Sequence, residues 1–429
     1  MANNLVQWQR LKFAATINDE ALTEDVDPDF EIQYIDIGNV NSSGAVNQVV
    51  TYRFEAAPSR ARRIVRDGDV IISTVRTYLQ GIAPITAPPE NLIVSTGFAV
   101  IRPRPQMMDP KFCRYALREP NFLAEVEKRS TGISYPAINA SEIGDIAIPL
   151  PPLSAQKLIA DYVETETADI DALIAAKQKL LDLMAEKRRA IVTEAVMRGL
   201  DPSAPLRPSG IDWLGDIPAH WEALDLKWVV ARVTSGVSVN ATNQPAEGDE
   251  LGVLKTSAVL GGSFFPLENK SVWLHEYERV TCPVTAGSII VSRMNTPLLV
   301  GESGYVETDH PNLFLPDRLW KIETNVQRAL PRFIAQVLSS PMVRSAISEM
   351  ATGTSASMKN LSQDDLLGLP IPLPPLDEQH QIVEQISTET AKIDRLRTAT
   401  ENSVALLKER RAALIAAAVT GQIEIPEAA

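Results

Sequence analysis

The sequence has 429 residues, 45% hydrophobic and 22% charged, which excludes an intrinsically disordered chain; at roughly 100–200 residues per domain it points to two to four domains. Its 54 acidic against 41 basic side chains give a net charge of -13, which excludes a surface that attracts nucleic acid everywhere but not one with a local basic patch. No run approaches the roughly 18 apolar residues of a membrane span, and the opening MANNLVQWQRLKF has no signal-peptide core, so a cytoplasmic protein without membrane contact is expected.

In chain order, short β-branched runs come first. Ile32-Gln33-Tyr34-Ile35-Asp36-Ile37, Asp69-Val70-Ile71-Ile72-Ser73 and Phe98-Ala99-Val100-Ile101 read as strands, and a helical pattern runs from Pro110 to Arg129. The proline-rich lead-in IPLPPL at 148–153 opens a long helix, with Ser154 as the expected N-cap and Gly199 at the expected stop. A Pro- and Ser-rich linker, DPSAPLRPSG, then begins at 201. Gly287-Ser288-Ile289-Ile290-Val291-Ser292 reads as a further strand and Pro331 to Met350 as a further helical pattern. A second IPLPPL at 371–376 opens a second long helix, with Asp377 as N-cap and Gly421 as stop.

The chain is therefore one unit written twice. Position 148 recurs at 371, an offset of 223, and at that offset Gln156 meets Gln379, Thr165-Glu166-Thr167-Ala168 meets Thr388-Glu389-Thr390-Ala391, and Ile170-Asp171 meets Ile393-Asp394. Upstream, Gly68 to Ser73 resembles Gly287 to Ser292 at an offset of 219, and Ser130-Thr131-Gly132 resembles Ala351-Thr352-Gly353 at 221. Along each long helix apolar residues recur at steps of three and four: Ile159, Val163, Ile170, Ile174, Leu181, Met184, Ile191 and Ala195, then Ile382, Ile386, Ile393, Val404, Leu407, Leu414 and Ala418. This is the seam of a coiled coil. The expected fold class is α+β: two mixed domains, each with a mainly antiparallel, irregular sheet, and two long helices. The expected segments are 1–150, helix 151–200, linker 201–220, 221–373, helix 374–423 and a tail 424–429.

Chemistry-bearing motifs are absent. Gly252-Val253-Leu254-Lys255-Thr256 separates glycine from lysine and fails as a phosphate-cradling loop, and no G-x-G-x-x-G or G-x-S-x-G occurs. Ala87-Pro88-Pro89-Glu90 lacks both the polar residue and the ring of an amino-methyltransferase motif. Pro28-Asp29-Phe30-Glu31 could be half of a nuclease metal site, but no lysine follows to complete it. Cys113 and Cys282 read as ordinary small hydrophobes, and the four histidines, His220, His275, His310 and His380, lie too far apart for a metal site.

The clearest electrostatic signal lies at 53–76, where Arg53, Arg60, Arg62, Arg63, Arg66 and Arg76 face only Glu55, Asp67 and Asp69. Arginine suits phosphate forks and bidentate reading of guanine. Thr74, Tyr78 and Gln80 sit just beyond the strand and could reach bases. In the second half Arg293, Asn295 and Thr296 occupy the corresponding strand end. Lys128, Arg129 and Tyr135 near the first Thr-Gly loop, and Lys359 and Asn360 near the second, form a further candidate group.

Two divergent domains, each ending in Thr-Gly, then IPLPPL, then a Gln-bearing amphipathic helix, resemble the specificity (S) subunit of Type I restriction–modification systems. The stretch Gly210-Ile211-Asp212-Trp213-Leu214-Gly215-Asp216-Ile217-Pro218-Ala219-His220-Trp221-Glu222 is similar to that family too, as is Pro-Leu-Pro-Pro-Leu followed by Asp377-Glu378-Gln379. The first copy departs, with Ser154-Ala155-Gln156, which puts one capping contact in doubt. The resemblance covers essentially the whole chain. It implies two target recognition domains, each reading one part of a split, asymmetric double-stranded DNA target in the major groove. It further implies an antiparallel helix pair that spaces the half-sites and docks two methyltransferase (M) subunits. Ile159, Val163, Ile170, Leu181, Met184, Ile191, Ile382, Ile386, Ile393, Leu407 and Leu414 are the candidate coiled-coil and subunit-contact residues. S-adenosylmethionine is expected on the M subunits, and ATP and Mg on motor–nuclease (R) subunits, with no cofactor or catalysis on this chain. The alternatives are the DNA-recognition subunit of another combined restriction and methylation enzyme, or a nuclease with an unrecognised site.

Overall fold

The structure, a computed structural model, describes residues 6–41, 44–132, 134–355 and 358–425. It divides into two units, one made of Met1–Lys179 with Glu401–Ala429 and the other of Leu180–Thr400. Part of the expected 424–429 tail lies outside the described residues.

In the first unit the strands are β1 (Gln7–Arg10), β2 (Ala15–Ile17), β3 (Glu31–Ile35), β4 (Val50–Arg53), β5 (Ala61–Ile64), β6 (Val70–Ser73), β7 (Ile82–Pro84), β8 (Leu92–Ser95), β9 (Phe98–Pro103) and β10 (Ala147–Leu150). The short helices are α1 (Leu11–Ala14), α2 (Pro110–Ala116), α3 (Pro120–Arg129) and α4 (Ala140–Gly144). One four-stranded sheet, ordered β2-β9-β6-β7, is antiparallel throughout. The other, β4-β3-β8-β5, contains one parallel pair, β3 with β8, so the pairing is mainly antiparallel, as expected, but is divided between two sheets rather than one. Strands β6 and β9 are buried on both faces, which is why they read as unbroken apolar runs. Ile71 and Val100 pack in the cluster with Val94 of the second sheet, whereas Val70, Ile72 and Ile101 pack with Cys113, Phe122 and Val126 of the helices. Cys113 is thus a core residue, and burial pushes its thiol pKa up.

The helical pattern from Pro110 to Arg129 is two helices rather than one. Pro120 has no N–H to continue the first helix and instead starts the second, with the Glu119 carboxylate accepting from Phe122 N at 3.0 Å as its cap. The same correction applies to Pro331 to Met350, which Pro341 splits into α6 (Pro331–Ser339) and α7 (Pro341–Met350).

The first domain leads into α5 (Leu153–Arg198), 46 residues and about 70 Å long. The second unit repeats the first with β11 (Leu206–Pro208), β12 (Asp216–Pro218), β13 (Glu222–Asp225), β14 (Val230–Ser235), β15 (Gly252–Leu254), β16 (Val259–Leu260), β17 (Ser263–Phe264), β18 (Asn269–Ser271), β19 (Pro283–Val284), β20 (Ile289–Ser292), β21 (Met294–Asn295), β22 (Ser303–Tyr305), β23 (His310–Phe314), β24 (Leu319–Thr324), β25 (Thr352–Ser355), β26 (Met358–Asn360) and β27 (Pro370–Leu373). Its sheets are β14-β24-β20-β22 and β18-β15-β23-β19, the latter again with one parallel pair, β15 with β23. Helix α8 (Gln363–Leu367) precedes β27, and α9 (Leu376–Val419) closes the repeat with 44 residues. The segment expected to be a linker is ordered: β11 pairs with β12, and Leu214 and Ile217 are buried in the cluster that holds Trp221.

Both long helices start on the leucine after the prolines, so Ser154 and Asp377 lie inside the first turn and are not caps. Gly199 and Gly421 do stop them, at φ +80 and +70, a left-handed conformation that glycine adopts without strain. Within each unit the long helices run antiparallel. In the first, Ile159, Ala160 and Val163 share a cluster with Ile415, Ala418 and Val419; in the second, Val192 and Val196 share one with Ile382 and Ile386. One ion pair appears twice through the repeat: Arg411 donates to both carboxylate oxygens of Asp171 at 2.7 and 3.0 Å, and Arg188 lies 3.6 Å from Asp394. Ile159, Val163, Met184, Ile382 and Ile386 are buried, and Ile170, Leu181, Ile191, Ile393, Leu407 and Leu414 are half-buried. The buried five are therefore packed within this chain and are not a surface offered to another subunit. Among the described residues no helix is long and apolar enough to cross a membrane.

Each domain is bolted to its helix by a fully buried glutamine. Gln156 Oε1 accepts from Asp109 N, and its Nε2 donates to the carbonyls of Met107 and Pro151, all at 2.8 Å. Gln379 repeats this with Leu330 N at 2.8 Å and the carbonyls of Arg328 and Pro374 at 3.0 and 2.9 Å. Truncation strands three buried backbone groups, each costing about 1–3 kcal/mol if it finds no water. Gln379→Ala is therefore expected to lower stability by about 2–4 kcal/mol, read as a drop in the urea midpoint of the second unit's unfolding, while the exposed Gln178→Ala stays within about 0.5 kcal/mol of wild type.

Candidate nucleic-acid interface

In both domains the loop after the central strand is stitched to the Thr-Gly loop that follows the helices. In the first, Val75 and Thr131 each form a bridge with Ala137, Arg76 N donates to Pro136 O at 2.7 Å, and Ile138 N donates to Thr74 O at 2.9 Å. In the second, β21 pairs with β26 and β26 with β25, setting Asn295 opposite Lys359 and Met294 opposite Asn360. Two groups of candidates far apart in sequence thus become one surface in each domain.

Arg76 sits at φ +54, a left-handed conformation that a non-glycine residue adopts at a cost, and its guanidinium lies 4.7 Å from the centroid of the exposed Tyr135 ring. Tyr78 and Gln80 are exposed on the same loop. Arg60 is exposed and its carbonyl accepts from Thr96 N at 2.8 Å, beside the turn whose Gly97 carbonyl holds Thr74. Arg62 lies 4.8 Å over the Phe54 ring, and Arg63 Nε is buried without a partner in the chain. These residues present cationic and aromatic groups with spare donors, a set that binds phosphates and base edges.

In the second domain Arg293 lies 5.5 Å from the Trp320 ring, and Arg293 Nε and Asn360 Oδ1 are buried with no partner in the chain. Asn295 Oδ1 accepts from Thr296 N at 2.9 Å, and Lys359 donates to Ala351 O at 3.1 Å. This surface is amide- and hydroxyl-rich where the first is arginine-rich.

Four candidates are engaged by partners within the chain. Thr74 is buried and its hydroxyl donates to Gly97 O at 2.9 Å. Arg66 is forked onto Glu20 at 2.7 and 2.5 Å, at the far end of β5 from Arg60. Arg129 is held by Glu125 at 3.0 and 3.2 Å. Lys128 is tied to the same carboxylate at 3.1 Å. Asp29, whose motif could have been half of a metal site, pairs with Arg53 at 3.2 Å, and among the described residues no group of three or more His, Cys, Asp or Glu could hold a metal. Sequence reasoning missed Leu79 and Leu298, exposed at equivalent places on the two loops; extending the 219-residue offset past Ser73 would have found them. It also read the missing acid in the first copy as a cap. Glu378 instead accepts from Trp221 Nε1 at 3.0 Å and His220 at 2.8 Å, whereas Trp8, the counterpart of Trp221 in the copy carrying Ala155, is exposed.

The family model described as the Type I restriction modification DNA specificity domain matches residues 22–182 and 272–405. The chain is similar to the Type I restriction enzyme EcoKI specificity subunit of Escherichia coli (strain K12), 25% identical over 328 residues, covering 76% of this chain and 68% of that one. It is similar also to the EcoBI specificity subunit of Escherichia coli, 22% identical over 388 residues, covering 84% and 80%. A solved structure on complex assembly and conformational transition of the type I R-M system shares the fold, with TM-score 0.69, 22% identity and coverage of 99% of this chain and 100% of that one.

The Arg66 fork gives a pH dependence. Hydrogen bonds from Arg66, then those and the charge of Arg102, hold the Glu20 carboxyl down to about 2 from 4.5, against the opposing effect of burial. A depressed carboxylate contributes stability above its unfolded value, and that contribution is lost as pH falls from 4.5 towards about 2. Arg66→Ala is thus expected to raise the pH of acid unfolding of the first unit, followed by amide hydrogen exchange of β6 and β9, while leaving its stability near pH 4.5 and above reduced by a roughly constant amount.

Proposed function

The chain belongs to the Type I restriction–modification DNA specificity family, and on that premise we propose that its two stitched loop surfaces are what reads DNA. The chain is a non-catalytic specificity subunit: it binds double-stranded DNA and assembles with methyltransferase and restriction subunits. One observation carries the reading of the loops. The same backbone arrangement is built twice, but with Arg60, Arg76, Tyr78, Gln80 and Tyr135 on one copy and Arg293, Asn295, Thr296, Lys359 and Asn360 on the other. A common scaffold with different reading groups suits a split target whose two parts differ in sequence. S-adenosylmethionine, ATP and Mg belong on the partner subunits in this reading, and the assembly works in the cytoplasm, where its DNA is.

The helices offer the partner a surface outside the seam. Leu173 and Leu183 on α5 are exposed, and so are Leu396 and Leu406 on α9, their equivalents at the offset of 223. An apolar face that recurs in both copies fits a subunit that docks twice.

Genome-wide adenine-methylation mapping in cells expressing this chain with its M partner tests the reading directly: a bipartite, asymmetric target is expected, and methylation without sequence preference overturns it. Within that complex, Arg76→Ala with Tyr135→Ala is expected to weaken target binding at least tenfold. Arg62→Ala with Arg63→Ala is expected to make the salt dependence of binding shallower, by about one unit of slope for each phosphate no longer neutralised. Binding curves that superpose on wild type at every salt concentration would remove these residues from the interface. Leu173→Asp with Leu396→Asp is expected to prevent co-purification with the M subunit, whereas unchanged co-purification places docking elsewhere.

A further inference from the structure

A second feature repeats across the domains and lies away from the reading loops. Leu11-Lys12-Phe13 recurs as Leu226-Lys227-Trp228. In both, the leucine is fully buried and its amide donates to a carbonyl just before the ribbon that leads into a long helix: Leu11 N to Ile146 O at 3.0 Å, Leu226 N to Leu369 O at 2.8 Å. Ile146 and Leu369 are themselves related by the offset of 223. In both, the aromatic ring that follows is turned outward, Phe13 52% and Trp228 59% exposed. Each ring carries a lysine ammonium over its face, Lys12 at 5.6 Å and Lys227 at 5.7 Å from the centroid. Each lysine is fixed by a carboxylate at 2.6 Å, Asp145 and Asp225 respectively.

A single exposed ring is ordinary on a protein surface; what sets these two apart is that the same ring, beside the same buried leucine and under the same ion-paired lysine, recurs in both domains. DNA is not the fitting occupant. In the first domain Ser73, where the reading loop begins, is opposite Phe98 at one end of β9, and Ala15, just after Phe13, is opposite Pro103 at the other end. In the second, Ser292 is opposite Leu319 and Val230, just after Trp228, is opposite Thr324. The rings therefore lie a strand's length, about 17 Å, from the loops. They sit instead at the ribbons β1–β10 and β13–β27, from which α5 and α9 emerge. On the proposed reading, loops that differ between the domains meet half-sites that differ, and what is the same in both domains faces a component that is the same for both.

We propose that Phe13 and Trp228 are paired anchors, each taken into an apolar pocket on one of two copies of the same methyltransferase subunit. Arg10 and Lys12, both paired with Asp145, flank the first ring, and Lys227, paired with Asp225, and Arg328, paired with Glu222 and donating to Trp228 O at 3.2 Å, flank the second, so each ring is rimmed by ion pairs and the receiving pocket is apolar with a polar edge. The proposal rests on the docking reading above and adds a second point of attachment to the leucine faces of the helices. Aromatic side chains set in a desolvated pocket are typical hot spots, worth roughly 30-fold or more in affinity.

The test uses the full chain with its cognate methyltransferase subunit, titrated and weighed by native mass spectrometry. Wild type is expected to take up two copies. Phe13→Asp or Trp228→Asp is expected to weaken one of the two uptake steps roughly 30-fold, and the double variant both. Exchange to Phe13→Trp with Trp228→Phe is expected to keep both within about threefold. Unchanged thermal unfolding of the variants establishes that the fold is intact, as exposed positions predict. Two copies taken up by the double variant with wild-type affinity overturn the anchors alone. A wild-type chain that takes up no methyltransferase subunit overturns the docking reading and the anchors with it.

Discussion

Everything else in the molecule hangs on two buried glutamines. Gln156 and Gln379 are the only polar side chains through which the carbonyls and amides before α2 and α6 reach the prolines that open α5 and α9, among the bonds described for those segments. A buried amide satisfied on three sides has one geometry, because rotating it leaves donors facing donors. The angle between each domain and its own helix is therefore set by directional hydrogen bonds together with apolar packing, Phe112 on Ile159 and Val163 in one unit and Phe333 with Ile382 and Ile386 in the other. Such a joint tolerates exchange of the domain's outer residues, since none of them takes part in it.

This explains how one chain holds two kinds of surface. The loops after β6 and β20 share a backbone path but carry different side-chain sets, weighted to arginine and tyrosine on one and to amide and hydroxyl groups on the other. The helices and the ribbons that feed them repeat particular contacts: Asp171 with Arg411 and Arg188 with Asp394, leucines at 173 and 396, aromatic rings at 13 and 228. The net charge of -13 is the average over both kinds and describes neither. On the proposed reading, local arginines in an acidic frame limit stray attraction to DNA while keeping it at the loops.

Much of this was legible in the sequence because it is periodic. The heptad-like steps, the duplicated prolines and the glycine stops are local signals, and the long helices end where those glycines stand. What was not legible depends on contacts between distant segments. Arg66 looks like part of a basic cluster until Glu20, 46 residues away, takes its guanidinium. Thr74 looks like a base reader until Gly97 takes its hydroxyl. The meeting of Arg76 with Tyr135 depends on a bridge between Val75 and Ala137, which no local pattern encodes. The buried seam residues were visible as a stripe, but a stripe alone does not say whether this chain or another covers it; Val163 and Ile386 are covered by this one.

The boundary between the units crosses both long helices, so the first unit is assembled from two separate stretches of chain. Its helical core is completed by Ile415, Ala418 and Val419 against Phe112, Ile159 and Val163. On the ribosome these closing residues emerge only after all of Leu180–Thr400 has been made. Chains commonly fold in the order they are synthesised, yet here the second unit, contiguous in sequence, can close first. The first domain must wait with an apolar helix face uncovered until translation reaches the end of α9. For this protein the order of completion runs opposite to the order of synthesis, and the interval between the two is when its unfinished half is most open to a chaperone.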